Sequence, residues 1–135
     1  MKHRTTTTRT ALAIVAAALV AVPLSAEAAP KRAVTKVTIT AEGKDMSGTV
    51  TSKRRACRGD RTVLLFQQVG TRGGGDDEVV AQDTTEVANG RGVWSTGNTG
   101  LSGRFYARVT RTPKCKPAVS RTITIVDTDT PETEV

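Results

Sequence analysis

Short runs in which apolar and polar residues alternate are the feature that most constrains the fold of this chain. Residues 36–41 and 104–110 each place an apolar side chain at every second position. This period of two is typical of a strand with one buried face. Turn-forming residues interrupt the runs every ten to fifteen positions, and no helical period follows residue 28. The pattern predicts an all-β fold, an antiparallel two-sheet sandwich of about seven strands.

Val63–Phe66 is different, because it is a continuous apolar run between Gly59 and Gly70. Such a run predicts a central strand that is buried on both faces. The glycine-rich segment Gly70–Glu78 is expected to form a flexible loop. The other six strands are predicted at residues 36–41, 46–52, 79–85, 92–95, 104–110 and 119–126.

The first residues have the pattern of an export signal. Residues 1–9 carry three cations and no acid, and residues 11–22 form an apolar stretch of twelve residues. A transmembrane helix needs about 20 residues, so this stretch is too short to span a bilayer. Ala26-Glu27-Ala28 then matches the small-x-small pattern of signal peptidase sites. We predict a signal peptide over 1–28, cleavage after Ala28, and a protein that is secreted or periplasmic with no later membrane span.

The remaining chain divides into a folded part and a tail. Residues 29–126 are long enough for one β-sandwich domain. Residues 127–135 contain four acidic residues and little that could pack against a core. We predict that this segment is an acidic, disordered tail.

Cys57 and Cys115 are the two cysteines of the chain, and both lie in the part that is predicted to be exported. Thiols outside the cytoplasm tend to be oxidised in pairs, so a Cys57–Cys115 disulfide is expected. A bridge between residues 58 positions apart stabilises a domain by about 4 kcal/mol in the chain-entropy model. Cys57 lies in a segment rich in arginine and glycine. We therefore expect a clamp between two loops.

The folded part is strongly cationic. Residues 29–126 contain 17 lysines and arginines but eight acidic residues, which gives a net charge of +9. The predicted disulfide brings eight of these cations to one end of the sandwich, with Asp60 as the one acid among them. They are Lys53, Arg54, Arg55, Arg58, Arg61, Arg111, Lys114 and Lys116.

Such a cluster is typical of a solubilising surface with no ligand. The alternative is a docking site for a polyanion, for example an anionic polymer of the cell envelope. Nucleic acid is the less favoured polyanion, because aromatic side chains that could stack on bases are missing from these segments. Tyr106 is the one candidate expected on an exposed face.

The residues that usually carry catalysis are scarce. The one histidine, His3, lies in the predicted signal peptide, and both cysteines are expected to be oxidised. The acids Asp76, Asp77 and Glu78 fall in the predicted loop and lack the spacing of a calcium site. We therefore predict a non-enzymatic binding or structural module without cofactor or metal. An enzyme or inhibitor is the distant alternative. Separately, Arg58-Gly59-Asp60 matches the integrin-binding tripeptide, which would indicate a role in adhesion.

Several short motifs resemble a known class of module. Gly90-Arg91-Gly92-Val93-Trp94 follows Asp83-Thr84-Thr85 and precedes the motif of residues 101–109, which reads LSGRFYARV. Upstream, Gly48-Thr49-Val50 and residues 61–65 fit the same pattern. Together they resemble secreted bacterial Ig-like and transthyretin-like (carboxypeptidase-regulatory-type) β-sandwich modules over residues 35–126. The resemblance implies a non-catalytic spacer or binding platform.

Overall fold

Two antiparallel β-sheets form the sandwich, as predicted. The computed structural model describes residues 31–128, so the predicted signal peptide and residues 129–135 of the predicted tail lie outside the described residues. The ten strands are Thr35–Val37 (β1), Thr40–Glu42 (β2), Asp45–Ser52 (β3), Thr62–Gln68 (β4), Glu78–Thr84 (β5), Glu86–Ala88 (β6), Arg91–Asn98 (β7), Gly103–Val109 (β8), Ala118–Val119 (β9) and Ile123–Ile125 (β10).

The first sheet has the order β1-β3-β7-β6, and the second has the order β10-β8-β4-β5. The short strands β1 and β2 lie end to end along the same edge of β3. In the second sheet, β9 and β10 lie end to end along the same edge of β8. The chain passes directly from β5 in the second sheet to β6 in the first through Thr85. One side edge of the sandwich is therefore formed by β1, β2, β9 and β10, and the other by β5 and β6.

The structure has three more strands than the sequence predicted, because two predicted strands are interrupted and β6 was not anticipated. At the first interruption, Thr38 and Ile39, the Thr38 carbonyl is bonded to Trp94. The Trp94 indole N–H donates to the Thr38 carbonyl over 3.1 Å, and Trp94 is 1% exposed. A buried indole N–H needs such an acceptor. The approach also requires Gly48, since a Cβ there would clash with the Thr38 carbonyl.

Ser120 interrupts the other edge strand, between β9 and β10. Its backbone N–H donates to the Ala107 carbonyl, and its hydroxyl accepts from the Ala107 N–H, each over 2.8 Å. A side chain thus replaces one backbone group of the ladder. The edge remains paired although the strand is broken.

The core lies between the two sheets and combines residues that alternate along their strands. Trp94 and Phe105 are its largest apolar side chains, and they pack with Val37, Ile39, Met46, Val50, Val63, Leu65, Ala107, Val109 and Ile125. β4 is central in its sheet, as predicted. The outer side differs from the prediction, because Leu64 and Phe66 are half-buried there.

Asp77 organises the glycine-rich loop of residues 69–77, which the sequence had indicated as flexible. Its carboxylate accepts hydrogen bonds from the backbone N–H groups of Val69 (3.0 Å) and Gly73 (2.8 Å) and from the Tyr106 hydroxyl (2.7 Å). Tyr106 also stacks on Phe66 and is 3% exposed. The expectation of an exposed Tyr106 is therefore wrong, because this hydroxyl reaches Asp77 of the loop.

Candidate functional site

The disulfide between Cys57 and Cys115 is present, with the two Cα atoms 5.6 Å apart. Cys57 ends a short 3-10 helix, Arg55–Cys57, in the connection between β3 and β4. Cys115 lies in the connection between β8 and β9. The bridge therefore joins two loops at one end of the sandwich, which confirms the predicted clamp. We call this end the basic end.

Arg61 lies beneath the bridge and is 1% exposed. Its guanidinium donates to the carbonyls of Cys57 (2.8 Å), Thr110 (2.8 Å) and Lys116 (3.1 Å) and to the hydroxyl of Thr35 (3.2 Å). No carboxylate is among its hydrogen-bond partners within residues 31–128. Burial lowers the pKa of Arg61 below its ordinary value, although arginine remains protonated in proteins.

The position of Arg61 corrects one part of the predicted site. Because the guanidinium is buried and bonded to the chain, it is not available to a polyanion. Its hydrogen bonds instead connect β1, the Cys57 loop and the loop of residues 110–117. Arg61 thus holds the basic end together and adds a buried positive charge to it.

A ridge runs along the side edge of the basic end. Residues 31–34 form it together with residues 114–116. The Ala33 N–H donates to the Lys114 carbonyl, and the Lys116 N–H donates to the Ala33 carbonyl, each over 2.8 Å. The Arg32 Nε also donates to the Thr112 carbonyl over 3.2 Å. The exposed cations of the ridge are Lys31, Arg32, Lys114 and Lys116.

The first groove borders this ridge on the side of the first sheet. Of the described residues, four cations and no acid contribute to its lining. Val34, which is 70% exposed, and the hydroxyl residues Thr51 and Ser52 complete its surface. The full lining is Ala33, Val34, Thr35, Lys36, Thr51, Ser52, Lys53, Arg54 and Arg58.

The second groove borders the ridge on the side of the second sheet. In the described part of the chain, it carries two arginines and again no acidic residue. Its lining is Arg108, Thr110, Arg111, Pro117, Ala118 and Val119. Arg108 is held over the Phe66 ring, with its guanidinium carbon 5.3 Å from the ring centroid. Among the residues that the structure describes, no aromatic side chain lines either groove.

The acids of the basic end lie at its other side edge. The Asp60 N–H donates to the Thr85 carbonyl over 2.8 Å, and Glu86 follows Thr85 in the chain. Thr85 is where the chain crosses from β5 to β6, whereas the ridge lies beside β1 and β9. The two acids therefore lie across the width of the sheets from the ridge, although Arg58 of the first groove also contacts Thr85, whose hydroxyl donates to the Arg58 carbonyl.

The structure brings most of the predicted cations together at this end. Lys53, Arg54 and Arg58 line the first groove, Arg111 lines the second, and Lys114 and Lys116 lie on the ridge. Arg55 is exposed on the 3-10 helix beside them. The sequence did not indicate Lys31, Arg32, Lys36 or Arg108. Strand pairing brings them to the cysteines, and no local motif could have shown this.

The Arg58-Gly59-Asp60 tripeptide forms a packed turn. The Arg58 Nε donates to the Ser52 carbonyl over 2.8 Å, and the Arg58 carbonyl accepts from the Thr85 hydroxyl over 2.7 Å. A Cβ at Gly59 would contact Val87 at 2.8 Å. The arginine of the motif is therefore partly occupied by the protein's own backbone.

Comparisons with known proteins do not assign the chain to a family. No family profile matches it, and no curated protein matches it significantly. Within residues 31–128 no helix is long and apolar enough to cross a bilayer. The same residues contain no group of three or more acidic, histidine or cysteine side chains placed to hold a metal ion.

Proposed function

We propose that this protein is a non-enzymatic β-sandwich module that works outside the cytoplasm and binds a polyanion at its basic end. One observation carries the proposal. Within residues 31–128, the ridge and the two grooves bring ten cations together without an acidic residue among them. A surface of one sign attracts a polymer of the opposite sign and gains free energy from released counterions.

The location is supported by two independent features. The N-terminal residues have the pattern of a cleavable signal, and the structure contains a disulfide. Disulfides form and persist mainly in oxidising compartments. Resemblance to secreted Ig-like and transthyretin-like modules agrees with both.

The separation of charges favours a binding site over a merely solubilising surface. A surface that only keeps a protein soluble usually mixes the two signs. Here the nearest acids, Asp60 and Glu86, lie at the Thr85 crossing, away from the ridge. Within the described range 31–128, the buried charge of Arg61 has no carboxylate among its hydrogen-bond partners, so it adds to the positive potential.

Two matched arginine triples test the proposal. The first replaces Arg32, Arg54 and Arg111 by glutamine. All three are exposed, and two of them donate to a backbone carbonyl. The control replaces Arg72, Arg104 and Arg121, which are also exposed and again include two such donors. The control residues lie outside the ridge and both grooves.

We expect the first triple to weaken binding to long-chain polyphosphate at least about tenfold. The slope of log K against log salt should flatten by about two to three, because each cation that contacts a phosphate contributes about 0.7–0.9. The control triple should change both quantities little. Isothermal titration calorimetry at several salt concentrations measures them. Equal losses in the two triples would show that net charge alone matters and would refute a local site.

A further inference from the structure

We infer that the ligand is a linear phosphate polymer without bases, and that a single chain of it crosses the ridge to occupy both grooves at once. This inference rests on the proposed function and specifies its ligand. It follows from three features of the basic end: the continuity of the cations, the chemistry of the groove walls, and the stiffness of the ridge.

Continuity is the first feature. Ala33 lines the first groove and is paired with Cys115 in the ridge. The Arg54 guanidinium of that groove reaches the Lys114 carbonyl, 3.5 Å away. On the other side, Pro117 lines the second groove and directly follows Lys116 of the ridge. Cations therefore follow one another from Lys36 to Arg108, and none of the described acids lies between them.

The chemistry of the groove walls favours phosphate without bases. Arginine presents a planar fork that matches two phosphate oxygens, and both grooves contain two arginines. The Thr51 hydroxyl adds a neutral hydrogen-bonding group to the first groove. Because no aromatic ring of the described part of the chain lines either groove, these residues offer no platform on which nucleobases could stack.

The ridge is held rigidly between the grooves. The disulfide, the two backbone hydrogen bonds of Ala33 and the hydrogen bonds of Arg61 fix its two segments. A ligand that contacts both grooves therefore meets sites at a constant separation. Binding at the first groove makes binding at the second intramolecular, which raises affinity by about 10²–10⁴ when the polymer is long enough. A small anion gains nothing from this.

The experiment compares three pairs of substitutions with tripolyphosphate and long-chain polyphosphate as probes. The pairs are Lys36→Gln with Lys53→Gln in the first groove, Lys114→Gln with Lys116→Gln on the ridge, and Arg108→Gln with Arg111→Gln in the second groove. The control pair is Arg104→Gln with Arg121→Gln. Thermal unfolding, followed by Trp94 fluorescence, checks that every variant is folded.

For long-chain polyphosphate, we expect the native protein to bind at least about 100-fold more tightly than it binds tripolyphosphate. Each of the three pairs should weaken this binding and flatten the salt slope by about 1.4–1.8. Tripolyphosphate cannot reach both outer faces, because the sheets of a sandwich alone are about 10 Å apart. Its binding should depend on one groove only. The control pair should leave both probes unaffected.

Three results would overturn the inference. Long-chain binding that ignores the ridge pair or the second-groove pair would show that the chain does not cross. Equal affinities for the two polyphosphates would show that length is irrelevant. Tighter binding of an oligo-deoxythymidine with the same number of phosphates would show that bases are recognised. Each of these results could occur while the arginine triples still show a local site. The proposed function is therefore tested separately from this inference.

Discussion

Two loop regions of this molecule are rich in charge, and they use their charges in different ways. At the basic end, Arg61 is buried and donates to three backbone carbonyls, one in the Cys57 loop and two in the loop of residues 110–117. In the loop of residues 69–77, Asp77 accepts from two backbone N–H groups and from Tyr106. In each region, one charged side chain therefore makes hydrogen bonds to backbone groups of loops that have few apolar residues to order them.

The two regions differ in the number of charged residues that remain exposed after these internal hydrogen bonds are made. Beyond Asp77, the acidic loop and the first residue of β5 contribute two more acids, Asp76 and Glu78, and both are exposed. The basic end retains ten cations on the ridge and in the grooves after Arg61 is buried. A surplus of exposed like charges, rather than the presence of charge, thus distinguishes a candidate binding surface from a loop that folds on itself.

The largest effect should come from removing the disulfide. Replacing Cys57 and Cys115 by alanine should reduce the free energy of unfolding by about 4 kcal/mol, because the unfolded chain regains the entropy of a 58-residue loop. Urea unfolding, followed by Trp94 fluorescence, measures the change. Long-chain polyphosphate binding should weaken as well. A loss below about 1 kcal/mol would mean that the clamp does not hold the basic end.

Arg61→Met should have the next largest effect. Methionine fills part of the space of the arginine with an apolar side chain but leaves three carbonyls without their donor. This should lower the free energy of unfolding by about 3 kcal/mol. Arg55→Met is the matched control. Arg55 is exposed, so its loss should change stability by less than about 0.5 kcal/mol. Equal effects in the same urea titration would contradict a special role for the buried arginine.

Asp77→Asn should have the smallest effect on global stability and should act mainly on the loop of residues 69–77. The hydrogen bond to Asp77 and its charge both raise the pKa of Tyr106, in addition to burial, which is the largest cause. The variant should therefore lower the pKa of Tyr106. The chain contains one tyrosine, so absorbance of the phenolate in an alkaline titration reports this residue alone. An unchanged titration would show that Asp77 does not contact Tyr106 in solution.

The pH dependence of the loop follows from the same pair. The hydrogen bond from Tyr106 lowers the pKa of Asp77 below its ordinary value, despite partial desolvation. The stabilisation from Asp77 is therefore complete above about pH 4 and is lost as the pH falls through its native pKa. Tyr106 has a raised pKa, so its contribution is complete below about pH 10 and is lost as the pH rises further. The Gly73 N–H donates to Asp77, so its protection from hydrogen exchange should be lost as the pH falls through the native pKa of Asp77.

Much of the architecture could be predicted from local patterns. The alternation in residues 36–41 and 104–110 correctly indicated strands, but Ala41 is exposed and Tyr106 is buried, against the predicted alternation. The two cysteines correctly indicated the bridge. The interruptions at Thr38 and Ser120 were missed. Both depend on a partner far away in the chain, the Trp94 indole in one case and the Ala107 backbone in the other.

The amino-acid sequence by itself determined the class of fold, the pairing of the cysteines and the excess of positive charge, because periodicity, cysteine number and charge can be read along the chain. Only the tertiary structure decided which charges are used internally and which face solvent. Arg61 was buried by contacts with residues up to 55 positions away, while Lys31, Arg32, Lys36 and Arg108 reached the basic end through strand pairing. Such long-range contacts depend on how the strands pair in space, and no local pattern encodes them.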